Sequence, residues 1–180
     1  MDMFNIMTDN FYGSWDNIAG HNSPLNAKSL FSSVYNMDGA FKLFNTTHNV
    51  PANKINLGTA FYGRSFANCT RIGGSHSDPD LVNFPNYDGA PAFWEVKASM
   101  AKYNRNWDAH AQVTFITGKN MNSFVSYDDE ESVCLKDNYV KSKSARDIII
   151  WEISGDSLDK NTAPYKIKLF RLFILILLVP

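Results

Sequence analysis

Apolar positions fall into short patterned runs, separated by polar stretches carrying glycine and proline. Residues 3–8, MFNIMT, read as a buried strand, and the Gly-, Asn-, Ser- and Pro-rich segment from Gly13 to Asn26 reads as a loop. In NMDGAFKLFNTT, Met37, Ala40, Phe41 and Phe44 recur at i, i+3, i+4, i+7, which predicts a core-facing helix. Asn36 or Asp38 is placed to cap its start, and Pro51 follows its end. KINLGTAFYG (54–63) predicts a second strand ending at Gly63, and residues 65–90, with Gly73, Gly74, Pro79, Pro85 and Gly89, predict a loop. AFWEVKASMAKY (92–103) predicts a short helix. AQVTFITGKNMNSFVSYDD predicts a hairpin turning through Gly118 to Asn122. DEESVCLKDNYVKSK (129–143) predicts a helix started by acidic residues, with Val133, Lys136, Tyr139 and Val140 near one side. DIIIWEIS (147–154) is a continuous apolar run, expected of a parallel strand covered on both faces.

The order is strand, helix, strand, an inserted small α+β unit, helix, strand. That alternation predicts an α/β fold with a parallel sheet and right-handed crossovers. Three strands cannot close a barrel, and a three-stranded parallel sheet has two unprotected edges. The pattern alone therefore implies further strands outside these 180 residues.

Charge and cysteine content narrow the function classes. With 17 basic and 18 acidic residues and no Lys/Arg run, the chain carries no electrostatic footprint for nucleic acid. Only Cys69 and Cys134 are present, which excludes a disulfide scaffold and a four-cysteine zinc site. Pairing of the two requires Cα atoms about 6 Å apart, which sequence does not decide. His21, His48, His76 and His110 lack ligand spacing, so neither a metal nor a cofactor is expected. The first residues lack the basic segment of a secretory leader. Asn45-Thr46-Thr47 and Asn68-Cys69-Thr70 match the glycosylation triplet, a weak pointer to secretion. The tail (157–180) ends in the apolar run Leu172 to Val179, well short of the roughly 20 residues of a bilayer span. A docking helix, a peripheral anchor backed by Lys166, Lys168 and Arg171, and a sequence read past an exon boundary remain open for it.

In parallel α/β folds, functional side chains sit at the carboxyl ends of strands. Those positions hold Asp9 and Asn10 with Trp15, then Tyr62 and Arg64, then Trp151 and Glu152. Aromatic rings beside a guanidinium and short polar groups suit a carbohydrate, whose apolar face stacks on indole while its hydroxyls need donors and acceptors. On spacing alone, the reading of Trp15 and Trp151 as core residues stands level with this. Glu152 alternates away from Trp151 and is expected to pair outside the site.

MTDNFYGSWDNIAGHNSPL, INLGTAFYGRSF, FVSYDDEESVCLK and IIIWEISGD occur in the order found in the C-terminal half of glycoside hydrolase family 18 chitinases, which residues 1–156 resemble. The resemblance implies a partial (β/α)8 TIM barrel. Residues 1–64 and 129–156 would hold its last three strands, and 65–128 the small α+β insertion. It also implies a substrate-assisted retaining hydrolysis of β-1,4-linked N-acetylglucosamine polymers. There the sugar's own acetamide acts as nucleophile, which family 18 shows as an exception to the two-carboxylate rule. Met7, Trp15, Tyr62, Arg64 and Trp151 stand where the family contacts substrate. The implied ligand is chitin or a chitooligosaccharide, and the implied location is extracellular.

Two positions depart from the family. Asp9 stands at its acetamide-holding Tyr and Asn10 at its Asp, which places a fixed negative charge where the family has a hydroxyl. The family's acid motif, D-x-x-D-x-D-x-E, is absent from the chain, and Asp128, Asp129, Glu130 and Glu131 read as the start of a helix. A glycosidic oxygen without a positioned acid has no proton donor. The chain is thus expected to be inactive alone, its acid lying on an N-terminal portion. The competing reading is a non-catalytic, lectin-like chitin-binding module.

Overall fold

The computed structural model describes residues 1–156; the reading of the apolar tail lies outside the described residues. Three parallel strands, β1 (Phe4–Ile6), β2 (Ile55–Ala60) and β7 (Asp147–Trp151), form a sheet in the order β1-β2-β7. In register, Ile6 lies beside Leu57, and Ala60 beside Trp151. The central strand β2 is buried along its whole length. A Cβ at Gly58 would come within 2.8 Å of the Thr8 amide, so the close approach of β1 and β2 requires glycine there.

Helix α1 (Met37–Lys42) begins where Asn36 Oδ1 accepts from the Gly39 amide at 2.8 Å. Its apolar stripe buries Met37, Ala40 and Phe41, and the chain then widens into a π-helical turn over Leu43–Thr47. Helix α3 (Glu130–Ser142) is capped reciprocally. Asp129 Oδ1 accepts from the Glu131 and Ser132 amides, while Ser132 Oγ accepts from the Asp129 amide. One core joins these helices to the parallel sheet through Ile6, Leu25, Met37, Phe41, Ile55, Leu57 and Val140.

Between β2 and α3 lies an antiparallel sheet of β3 (Gly63–Ala67), β4 (Tyr103–Asp108), β5 (Val113–Gly118) and β6 (Ser123–Tyr127), ordered β3-β6-β5-β4. Helix α2 (Phe93–Ser99) packs on it through Phe93 and Val96, in a core shared with Phe61, Phe84, Tyr103, Ile116, Val125 and Tyr127. The hairpin expected within residues 111–129 is β5–β6.

Two expectations change, and the cysteine pairing that sequence left open is decided. The run 54–63 is not one strand: it breaks after Ala60, and Gly63 opens β3, which pairs antiparallel with β6 and enters the segment read as loop. Strand β7 is not covered on both faces. Ile148, Ile149 and Ile150 are only half-buried, and among the described residues β7 is an edge strand paired with β2 alone. Cys69 and Cys134 are both free thiols.

Candidate functional site

The carboxyl ends of the parallel strands open on a cavity of about 520 Å³. The segment after β1 delivers Met7, Asp9 and Asn10, the turn after β2 delivers Tyr62 and the start of β3 Arg64, and the end of β7 delivers Trp151 followed by Glu152. The insertion closes the opposite side with Tyr87, Asp88 and Trp94.

A buried polar network forms the floor beneath Asp9. Lys136 reaches inward from α3 with no exposed surface and donates to Asp128 Oδ2 at 2.5 Å and to Ser23 Oγ at 2.6 Å. Asp128 also accepts from Thr59 Oγ1, from the Ala60 amide and from Ser132 Oγ. Ser23 Oγ in turn donates to the Thr8 carbonyl at 2.8 Å. The ends of β1, β2 and β6 are thereby fastened to one helix. The acidic run read as a helix start is therefore only partly that: Asp128 is buried under the site.

Asp9 is 7% exposed and belongs to no ion pair among the described residues. Burial raises its carboxyl to about 6, against the pull of Lys136 and with a push from Asp128. The charge expected to be fixed is thus titratable near neutrality. Burial, reinforced by the charge of Asp9, pushes the Tyr62 phenol up and keeps it a hydroxyl.

Arg64 is held in place by three groups. Its Nε and Nη2 donate to Asn10 Oδ1 at 2.8 and 2.5 Å. The guanidinium carbon lies 4.9 Å from the Trp15 ring centre and 5.7 Å from that of Tyr62. Asn10 adopts φ of 58°, a conformation asparagine tolerates, and its amide donates to Asn22 Oδ1. Asn22 Nδ2 donates to the Tyr62 carbonyl, so one asparagine positions both walls.

Of the sequence-predicted residues, Met7, Asp9, Asn10, Tyr62, Arg64 and Trp151 meet around the cavity. Trp15 does not line it. Its ring lies over Gly13, where a Cβ would come within 2.3 Å of it, and acts on the site through Arg64. Glu152 departs from the expected outer salt bridge: it lines the cavity next to Trp151, across a cis peptide bond, with no ion pair among the described residues. Tyr87, Asp88 and Trp94 were missed; AFWEV carried a signal for Trp94, whereas Tyr87 and Asp88 sat in an unpatterned loop.

Ser126, His21 and Asp108 form a second constellation away from the cavity. The Asp108 carboxylate can only accept, so His21 Nε2–H donates to it at 3.1 Å, and Nδ1 of the neutral ring accepts from Ser126 Oγ at 3.1 Å; Ser126 Oγ in turn accepts from the Asn22 amide. Burial lowers the His21 pKa, keeping the ring neutral, while the His21 and Lys28 hydrogen bonds hold the Asp108 carboxyl low. All three side chains are buried, so this Ser-His-Asp set fastens the loop after β1 to the insertion sheet and offers no nucleophile. Among the described residues, no cluster of three or more His, Cys, Asp or Glu is placed to hold a metal ion. No helix among them is long and apolar enough to cross a membrane.

By architecture this is an α/β protein with an aromatic-walled cavity at the carboxyl ends of parallel strands. Residues 1–156 match the family "Glycosyl hydrolases family 18", and the chain belongs to that family. It is 33% identical over 174 residues to Chitinase A1 of Niallia circulans, an alignment covering 87% of this chain and 24% of that protein. Among solved structures, chitinase ChiA74 from Bacillus thuringiensis superposes with a TM-score of 0.82 at 26% identity, covering 97% of this chain and 31% of that one. Human YKL-39, described as a pseudo-chitinase with retained chitooligosaccharide binding, superposes with a TM-score of 0.79 at 27% identity. The match covers 87% of this chain and 44% of that one. The chain thus spans less than half the length of each of these relatives.

Proposed function

We propose that residues 1–156 form one wall of a chitinase cleft that binds extracellular β-1,4-linked N-acetylglucosamine oligomers. In this reading β1, β2 and β7 are the sixth, seventh and eighth strands of a (β/α)8 barrel. The antiparallel unit after β2 is the insertion that deepens its groove. The observation that carries the reading is the cavity itself: Tyr62, Tyr87, Trp94 and Trp151 surround it at the carboxyl ends of the parallel strands, with Asp9, Asn10 and Arg64 between the rings. Rings take up the apolar faces of pyranoses, and the polar groups between them fix orientation.

Hydrolysis needs a proton on the leaving oxygen, and the family's acid motif does not occur in the 180 residues. The resident groups bind and orient: Tyr62 keeps its hydroxyl, Arg64 is pre-positioned by Asn10, and Trp151, 65% exposed, offers its indole to a sugar. The acid belongs to a segment outside this chain. Chitin-bead retention and cleavage of a fluorogenic chitobioside test both halves. The expected result is retention of the chain without turnover, and about a tenfold weaker retention for Trp151→Ala, the loss of one stacked ring. Equal retention of that variant would refute the cleft, and turnover above background would refute the placement of the acid.

A further inference from the structure

The cavity is unbalanced in charge. Asp9, Asp88 and Glu152 line it against one cation, Arg64. Among the described residues, ion pairs form at Asp38, Asp108, Asp128, Asp129, Glu130, Glu131 and Asp137, and none involves these three carboxylates or Arg64. Arg64 gives its Nε and Nη2 donors to Asn10 and presents its plane to two rings. Lys136 lies below Asp9, but its ammonium is committed to Asp128 and Ser23. Asp9 is therefore a nine-tenths-buried carboxyl that lines the cavity outside any ion pair among the described residues, with Lys136 and Arg64 attracting it only from beyond pairing distance.

We propose that this cavity prefers sugars bearing a free 2-ammonium group, the deacetylated glucosamine units of the same β-1,4 polymer, with Asp9 as their counter-ion. The inference rests on the cleft reading above and concerns which sugar that cleft selects. An acetamide presents a carbonyl oxygen that needs a donor. An ionised Asp9 offers that oxygen only acceptors, so an acetamide must turn to the Tyr62 hydroxyl or to Nδ2 of Asn10, whose own carbonyl is held by Arg64. An ammonium brings donors to the same place and meets a carboxylate in a partly desolvated setting, where charge-assisted hydrogen bonds are strong. The rings of Tyr62, Tyr87, Trp94 and Trp151 accept either sugar's apolar face, so the discrimination falls to the polar groups. A bound cation also favours the ionised carboxyl, opposing the burial that raises Asp9. Arg64 and the Lys136 ammonium beneath Asp9 repel an ammonium, but Asp9, Asp88, Glu152 and the buried Asp128 outnumber them.

Calorimetric titration of the 180-residue chain with glucosamine tetramer and with N-acetylglucosamine tetramer, near pH 6.5 at low ionic strength, tests the assignment. The deacetylated tetramer is expected to bind about tenfold tighter, a difference of about 1.4 kcal/mol. Asp9→Asn should abolish the preference by weakening only the deacetylated ligand, and Asp9→Glu should retain it. Circular dichroism confirms that each variant is folded. Tighter binding of the acetylated tetramer, or equal weakening of both ligands by Asp9→Asn, would overturn the inference and leave the cleft reading intact. Binding of neither tetramer would overturn both.

Discussion

Replacing Lys136 with methionine is expected to destabilise the fold by about 3–5 kcal/mol, read as a lower urea midpoint with an unchanged slope. Methionine fills the volume of the lysine stem, so the loss is electrostatic. Asp128 stays buried with its hydrogen bonds from Thr59, Ala60 and Ser132, but without the ammonium. Ser23 loses the donor that fixes its hydroxyl. Lys42→Met is the control. Lys42 pairs with Asp38 at 62% exposure on α1, and its loss should change stability by no more than about 1 kcal/mol. Equal effects of the two replacements would show that the inner pair does not hold the strand ends together.

Asp9→Asn should act in the opposite direction, stabilising the protein by about 3 kcal/mol near neutral pH while leaving it almost unchanged near pH 4. The folded Asp9 carboxyl titrates at about 6, above the 3.8 of a free side chain. Between those values the native state holds a proton that the unfolded chain has released. The wild type thus has its full share of stability from this group in acid, and loses it as pH rises through 6. Asparagine has nothing to ionise. Taking the difference between variant and wild type at each pH cancels His21, whose lowered pKa makes stability fall on acidification from about 6.5. Chemical unfolding at four or five pH values decides the matter. A difference that does not vary with pH would show that burial does not destabilise the Asp9 charge.

Local pattern was legible wherever one face of an element meets a core. The stripe of Met37, Ala40 and Phe41, the Asn36 cap, the acidic start of α3 and the hairpin turn after Gly118 all follow from periods and capping chemistry that operate within a few residues. Strand β4 was not legible. Its sequence YNRNWD buries only Tyr103 and Asp108, and its middle polar residues bond across the sheet rather than into a core. Strand β3 was hidden because Gly63 reads as the end of the preceding strand and Ser65 as the start of a loop, and only pairing with β6 shows that the chain continues as a new strand.

The site was legible as a set of strand ends, and six of its predicted residues share one cavity. What sequence withheld depends on distant partners. Lys136 stood on the buried side of its helix, yet nothing local identified Asp128 and Ser23 as the groups that make a buried ammonium tolerable. The inactive Ser126–His21–Asp108 set joins residues 105 apart in sequence and looks catalytic until its burial is known. Trp15, which the resemblance groups with Asp9 and Asn10, stands beside the cavity rather than in its lining: its ring rests on Gly13 beneath Arg64.

The outer rings of the cleft, Tyr87 and Trp94, come from a segment that leaves the parallel layer after Ala60 and rejoins it ahead of α3. Swapping that segment between relatives would exchange the groove's far bank as a cassette. An exchange bounded to keep Tyr62, Arg64 and Asp128 would alter that wall of the cavity while leaving the Lys136–Asp128 pair and the residues at the strand ends in place.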